Sequence, residues 1–315
     1  MLRWYSQQET SQRADAPPFP PRIDFYTAAD GRRLAVRIWE AAQPPRARVV
    51  FLHGITSHGG WYSHCAQHLA GAGFQVHFLD RRGSGLNADR PGDIDHWQTW
   101  IDDVVEYIRK SFHEAPEMGQ AHFALPAPQN EPVRGVVLCG MSWGGKLAVA
   151  VARRHPRLVH GVALICPGLY SPFQPGLVKR LALALPMPAW LRERRLKIPL
   201  RRPELFTDSQ LWREFIDQDP LALREVTRQF AREDQQLTSY ARQAAPHLHM
   251  PLLLMLAGRD RIVNNRRTRE FFARVSSAKK SLNEYSHAAH TLEFEPDPLP
   301  YFADLADWVS RTTSA

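Results

Sequence analysis

Ser142 stands at the centre of Gly140-Met141-Ser142-Trp143-Gly144, and its surroundings suit a serine that attacks a substrate. Val136 to Cys139 before it has the length and β-branched content of a buried strand. Lys146 to Arg154 after it is rich in Ala, Leu and Val, with no breaker until Pro156. A tight turn between strand and helix exposes its central side chain at the cost of a strained backbone. The glycines suit neighbouring chains that pass too close for a Cβ. The helix that starts here offers free N–H groups to developing negative charge. A serine hydroxyl is still a weak nucleophile; it needs a base to take its proton and an acid to orient that base. Asp260 follows the apolar run Leu252–Leu256, at the end of Ala257-Gly258-Arg259-Asp260, and is the expected acid. The plainer alternative is a surface aspartate paired with Arg259 or Arg261. Two histidines compete for the base, His287 and His290, both just past Ser281–Tyr285.

The elements that must position these residues alternate between strand and helix, which predicts an α/β fold with a mainly parallel sheet. Ile23–Tyr26 and Leu34–Glu40, split by Asp30-Gly31, predict an opening hairpin. Arg48–Leu52 and Phe74–Leu79 read as strands, with a helix over Trp61–Ala70 between them. Trp97–Phe112 is an amphipathic helix, followed by a polar, proline-containing loop to Pro132. Val159–Ile165, Pro251–Leu256 and Ser281–Tyr285 supply the remaining strands, and Tyr301–Val309 a closing helix. Between about Leu169 and Pro246 the alternation stops. That stretch carries helical patterns over Leu177–Leu185, Ser209–Asp217 and Leu221–Tyr240, and no convincing strand. Its length predicts a helical cap inserted into the core. The expected division is therefore core over 1–168, cap over 169–246 and core again over 247–315.

Composition narrows the function class. No apolar run approaches the ~20 residues of a membrane span, and the polar, proline-bearing start lacks the apolar stretch of a secretion signal. Cys65, Cys139 and Cys166 are odd in number and irregular in spacing, which argues against a disulfide framework and for a reducing, cytoplasmic location. The formal charge of +8 is carried almost entirely by arginine. No nucleic-acid-binding motif accompanies it, so nucleic acid is not an expected partner. Gly83-Ser84-Gly85 lacks the spacing of a nucleotide-binding loop and reads as a structural turn.

His53-Gly54, the Asp80-Arg81-Arg82-Gly83-Ser84-Gly85 turn, the Ser142 turn, Gly258-Arg259-Asp260 and His290 occur in the order of the serine α/β-hydrolases. More narrowly, the chain resembles the monoacylglycerol lipase and lysophospholipase-like branch. Val50 to Tyr62 carries that branch's apolar strand, His-Gly and aromatic pair. The resemblance runs from about Ile23 to Val309 and is weaker over the cap. It implies Ser142 as nucleophile, Asp260 as acid and His290, rather than His287, as base, because the family's histidine lies several residues past the last strand. It also implies an oxyanion hole made by the backbone N–H groups of Ile55 and Trp143. The segment where some relatives carry the acid, Cys166-Pro167-Gly168-Leu169, has no carboxylate.

The resemblance implies an acyl-enzyme route to hydrolysis of a small-molecule acyl ester such as a monoacylglycerol or lysophospholipid, with no metal and no organic cofactor. His58, Leu183, Trp190 and His287 are the expected substrate-contacting side chains. Apolar residues from Leu177 to Leu191, edged by Arg192, Arg194 and Arg195, would suit an acyl chain or a weak contact with an anionic membrane surface. The orientation of Lys146, one helical turn past Ser142, stays open. Two competing readings are a proline-iminopeptidase-like peptidase and a non-catalytic binding protein. The first lacks its glycine-proline signature in His53-Gly54-Ile55-Thr56, and the second has no reason to keep a full triad.

Overall fold

Asp30-Gly31 turns β1 (Arg22–Thr27) back on β2 (Arg33–Trp39) as an antiparallel hairpin, with Gly31 at a φ of 80° that a side chain would resist. These assignments come from a computed structural model that describes residues 20–314, apart from 42–43, 113–134, 175, 177–182, 184 and 186–187. The expected loop to Pro132 and most of the Leu177–Leu185 helix lie outside the described residues. From β3 (Ala47–Leu52) the chain alternates as expected: α1 (Ser63–Gly71), β4 (Phe74–Leu79), α2 (Trp97–Phe112), β5 (Val136–Met141), α3 (Trp143–Arg154) and β6 (Gly161–Ile165).

The long connection that follows differs from its expectation in two ways. It holds α4 (Ala189–Arg192), β7 (Arg195–Lys197), α5 (Gln210–Gln218), β8 (Glu225–Thr227) and α6 (Arg228–Arg242). Strands β7 and β8 pair antiparallel where no strand was expected. The helix expected from Leu221 starts only at Arg228. Thr227 stops it from reaching further back: its side chain accepts from the Phe230 N–H and caps the first turn. The chain then re-enters the sheet through β9 (Leu252–Ala257), α7 (Asn265–Ala273), β10 (Lys280–Tyr285) and α8 (Leu299–Thr313).

The eight-stranded sheet runs β1-β2-β4-β3-β5-β6-β9-β10, parallel from β4 onward. Its central strands are apolar on both faces because helices cover both. Val50, Leu52, Val136 and Leu138 face α2 and α3 in one core, while Val49, Phe51, Val137 and Cys139 face α1 and α8 in the other. His53, Asp80, Ser142, Cys166 and Asp260 all lie just past strand ends on the same edge of the sheet. A crevice at the carboxyl ends of parallel strands is the usual ligand site of such sheets. Among the described residues, no helix is long and apolar enough to cross a membrane.

Candidate active site

The turn between β5 and α3 holds Ser142 at φ 50° and ψ −117°, outside the basins of ordinary residues. Two contacts explain the flanking glycines. A Cβ on Gly144 would sit 2.1 Å from the Leu52 carbonyl oxygen, and one on Gly140 would sit 2.5 Å from that of Gly144. The turn is pinned by the Ser142 N–H to the Ile165 carbonyl at 2.9 Å and by the Gly168 N–H to the Ser142 carbonyl at 2.6 Å.

Ser142 Oγ lies 3.0 Å from Nε2 of His290, and Nδ1 of the same ring lies 2.8 Å from Oδ2 of Asp260. An ionised carboxylate only accepts, so Nδ1 carries the proton and Nε2 is left to accept from the serine hydroxyl. Asp260 is held in turn: its Oδ1 accepts the Ile262 and Val263 N–H groups at 2.7 and 2.8 Å, and its side chain is wholly buried. Arg259 and Arg261 pair instead with Asp208, which removes the surface-pair alternative for Asp260. The loop bearing His290 is tied down by the Ala289 N–H to Glu295 at 2.8 Å and the Thr291 N–H to the Phe206 carbonyl at 2.9 Å.

The facing loop after β3 is equally fixed. His53 Nδ1 bonds the Gly54 carbonyl at 2.7 Å, and its Nε2 accepts the Arg81 N–H at 2.8 Å. Burial, with the Arg81 charge beside it, lowers this imidazole to about 3 and keeps it neutral. Ile55 and Ser142 both line one small opening, with Tyr62, Leu200, Phe206 and His290. Among the described residues, the backbone N–H groups of Ile55 and Trp143 donate to no protein acceptor, as donors kept for a ligand must.

Cys166, Asp260 and His290 are the one group of described metal-capable side chains with donor atoms within 4.8 Å of one another. They suit a hydrogen-bonded cluster better than a metal. Burial and the Asp260 carboxylate raise the Cys166 thiol well above its usual range, whereas a metal needs the thiolate.

Four expected substrate contacts are not brought to this opening. His58 is buried and bound to Asp219 at 3.1 Å, and its Nδ1 caps the turn at Gly60; its partners are structural. Trp190 is 72% exposed on the one-turn α4. Leu183 is buried but does not line the opening. His287 faces solvent on the loop after β10 and uses its carbonyl to accept from Arg259. The residues that do roof the opening, Leu200 and Phe206, were missed because isolated apolar residues in a loop carry no periodicity. Lys146 points into the α3–α6 interface, where its Nζ reaches Asp234 at 2.6 Å and Thr238 at 3.0 Å.

The family model described as serine aminopeptidase, S33 (Hydrolase_4) matches residues 43–297. The chain belongs to that family. It is an α/β-hydrolase of the monoacylglycerol-lipase-like branch, a carboxylic-ester-type serine hydrolase. Monoglyceride lipase from Homo sapiens is 25% identical over 317 residues, covering 98% of this chain and 97% of the relative. Monoacylglycerol lipase from Mycolicibacterium smegmatis is 24% identical over 293 residues, covering 90% and 95%. The crystal structure of the Paleococcus ferrophilus monoacylglycerol lipase superposes with a TM-score of 0.74 at 22% identity, over 89% of this chain and 99% of that one.

Proposed function

We propose that this chain cleaves acyl esters through an acyl-enzyme intermediate, with Ser142 as nucleophile, His290 as base and Asp260 as the acid that orients it. The observation that carries this reading is the unbroken chain of hydrogen bonds from Asp260 through His290 to Ser142. His290 takes the serine proton as Oγ attacks the ester carbonyl, and the Ile55 and Trp143 N–H groups receive the negative charge that forms on the carbonyl oxygen. The imidazolium then gives its proton to the leaving alcohol. A water repeats the sequence, with His290 again as base, to release the acid. Asp260 stays ionised throughout and favours the imidazolium by charge.

Residues 169–246 act as the cap in this reading and contribute the apolar roof at Leu200 and Phe206. An apolar roof over a polar floor suits monoacylglycerols, lysophospholipids and similar acyl esters. The relatives named for monoacylglycerol hydrolysis support that substrate class. Exposed Trp190 beside exposed Arg194 supports a weak contact with an anionic membrane surface. Three buried free cysteines fit a reducing, cytoplasmic setting. The test is one plate of p-nitrophenyl acyl esters and monoacylglycerols of graded chain length against prolyl arylamides. Ester turnover without arylamide turnover is expected; arylamide turnover exceeding ester turnover would make the protein a peptidase.

A further inference from the structure

The reading of Ser142 and its two oxyanion donors leaves unused a charged cluster next to them, with Arg81 and Lys146 buried and Asp234 partly buried. Trp143, which follows the nucleophile, donates its indole Nε1–H to Asp234 on α6. The same carboxylate binds Lys146 Nζ at 2.6 Å, so one acid on the cap grips two residues of the first turn of α3. The Arg81 guanidinium lies 4.3 Å from the centroid of the Trp143 indole ring, a cation–π distance. Its two terminal nitrogens donate to the carbonyls of Gly54 and Ile55 at 3.2 and 3.1 Å. The indole therefore sits between the two loops that supply the oxyanion donors: it belongs to one and stacks on the arginine that holds the other.

We infer that Asp234 is a positioning residue, which fixes the Trp143 indole and through it the spacing of the Ile55 and Trp143 N–H groups. The inference rests on the oxyanion hole proposed above. Three features make the cluster more than packing. Arg81 and Lys146 are both buried cations, and Asp234 is the carboxylate in contact with Lys146 and favours the Arg81 charge more than Asp80 does. Burial lowers both cations from their ordinary values, and Asp234 opposes that lowering in each. Arg81 meets the loop through two carbonyls at once, a fork that fixes orientation as well as distance. Because Asp234 is on the cap and the other members are on the core, the cluster also couples the cap's seat to the oxyanion hole.

The test uses a short ester, p-nitrophenyl acetate, with Asp234→Ala, Trp143→Phe and the double variant. Each single change should lower kcat about 10-fold while KM moves less than about 2-fold, because donors shifted by a fraction of an ångström lose transition-state binding and little else. The double variant should be no slower than the worse single, since both remove one shared contact. Asp234→Asn, which keeps an oxygen for the indole N–H, should recover most of kcat. Unchanged kcat in either single variant, or losses that multiply to about 100-fold in the double, would overturn the inference. If Asp234→Ala fails to fold, Trp143→Phe and Asp234→Asn carry the test: Trp143→Phe should lose about 10-fold in kcat while Asp234→Asn stays near wild type, and an unchanged Trp143→Phe overturns the inference. Ser142→Ala separates the two levels. An active Ser142→Ala sinks the site reading itself, whereas an inactive Ser142→Ala beside an unaffected Asp234→Ala sinks only this one.

Discussion

The floor of the site and its roof share the apolar core but are fixed in different ways. The floor is a set of strand ends: Ser142 after β5, Asp260 after β9 and His290 after β10, each on a loop anchored by backbone hydrogen bonds to a two-sided apolar sheet. The roof is the connection from β6 to β9; it packs Phe230, Leu237 and Ala241 into the same apolar core as α2 and α3, and a few polar side chains add directed contacts to that seat. Asp219 accepts from Trp61 Nε1 at 2.6 Å and pairs with His58 at 3.1 Å, while Asp234 grips Trp143 and Lys146. Backbone stitches join them, such as the Leu223 N–H to the Thr56 carbonyl at 2.9 Å. Aromatic edges, with Trp61 against Phe206 and Phe215, fill the space between. In the proposed reading the reacting groups thus sit on loops anchored to the sheet, and the roof adds a handful of directed polar contacts to its apolar seat.

The sharpest way to break this comparison is to separate the two histidines of the last loop. His290→Ala should lose at least ~10³-fold in kcat, as removal of a general base does. His287→Ala, whose side chain faces solvent, should stay near wild type. A dead His287→Ala beside an active His290→Ala would invert the assignment.

The roof's attachment is next. Asp219→Ala leaves His58 and Trp61 without their buried acceptor, and unfolding in urea should show a loss of about 3 kcal/mol. A loss under about 1 kcal/mol would mean that the roof is seated by apolar contact alone.

The smallest effect concerns acid and belongs to the floor. Burial lowers His53 and His77 to about 3, so both stay neutral in the folded chain while the unfolded chain takes protons near ~6.5. Protons therefore favour the unfolded state, and the stability tied to these rings is present above ~6.5 and is lost as pH falls toward about 3. Between pH ~7 and ~5.5 each should cost about 1 kcal/mol. His77→Phe, whatever its absolute stability, should flatten the slope of stability against pH over that window. An unchanged slope would contradict the assignment of acid sensitivity to this ring.

The same division governs what could be read from the residues alone. Strands buried on both faces announce themselves as apolar runs, so β3, β4, β5 and β9 and the turns at their ends were legible. Ser142 and Asp260 came with them, since each follows directly from a strand. His290 needed the family resemblance to separate it from His287. The connection from β6 to β9 resisted reading. Its short strands β7 and β8 are three residues each, too brief for period-2 alternation, and Thr227 ends a pattern that looked helical from Leu221. Helix α7 was missed, its buried face reduced to Thr268 and Phe271 among arginines. His58, Asp219, Arg81 and Asp234 act through partners up to 161 residues apart in the chain, and no spacing rule reaches that far.

The central claim, that Ser142 is the one nucleophile of this fold, is tested most directly by labelling the intact protein with a fluorophosphonate and mapping the adduct by peptide mass spectrometry. A single adduct on the peptide containing Ser142, absent from Ser142→Ala, is the predicted result. Labelling that persists in Ser142→Ala, or an adduct on a different residue of the wild type, would contradict it.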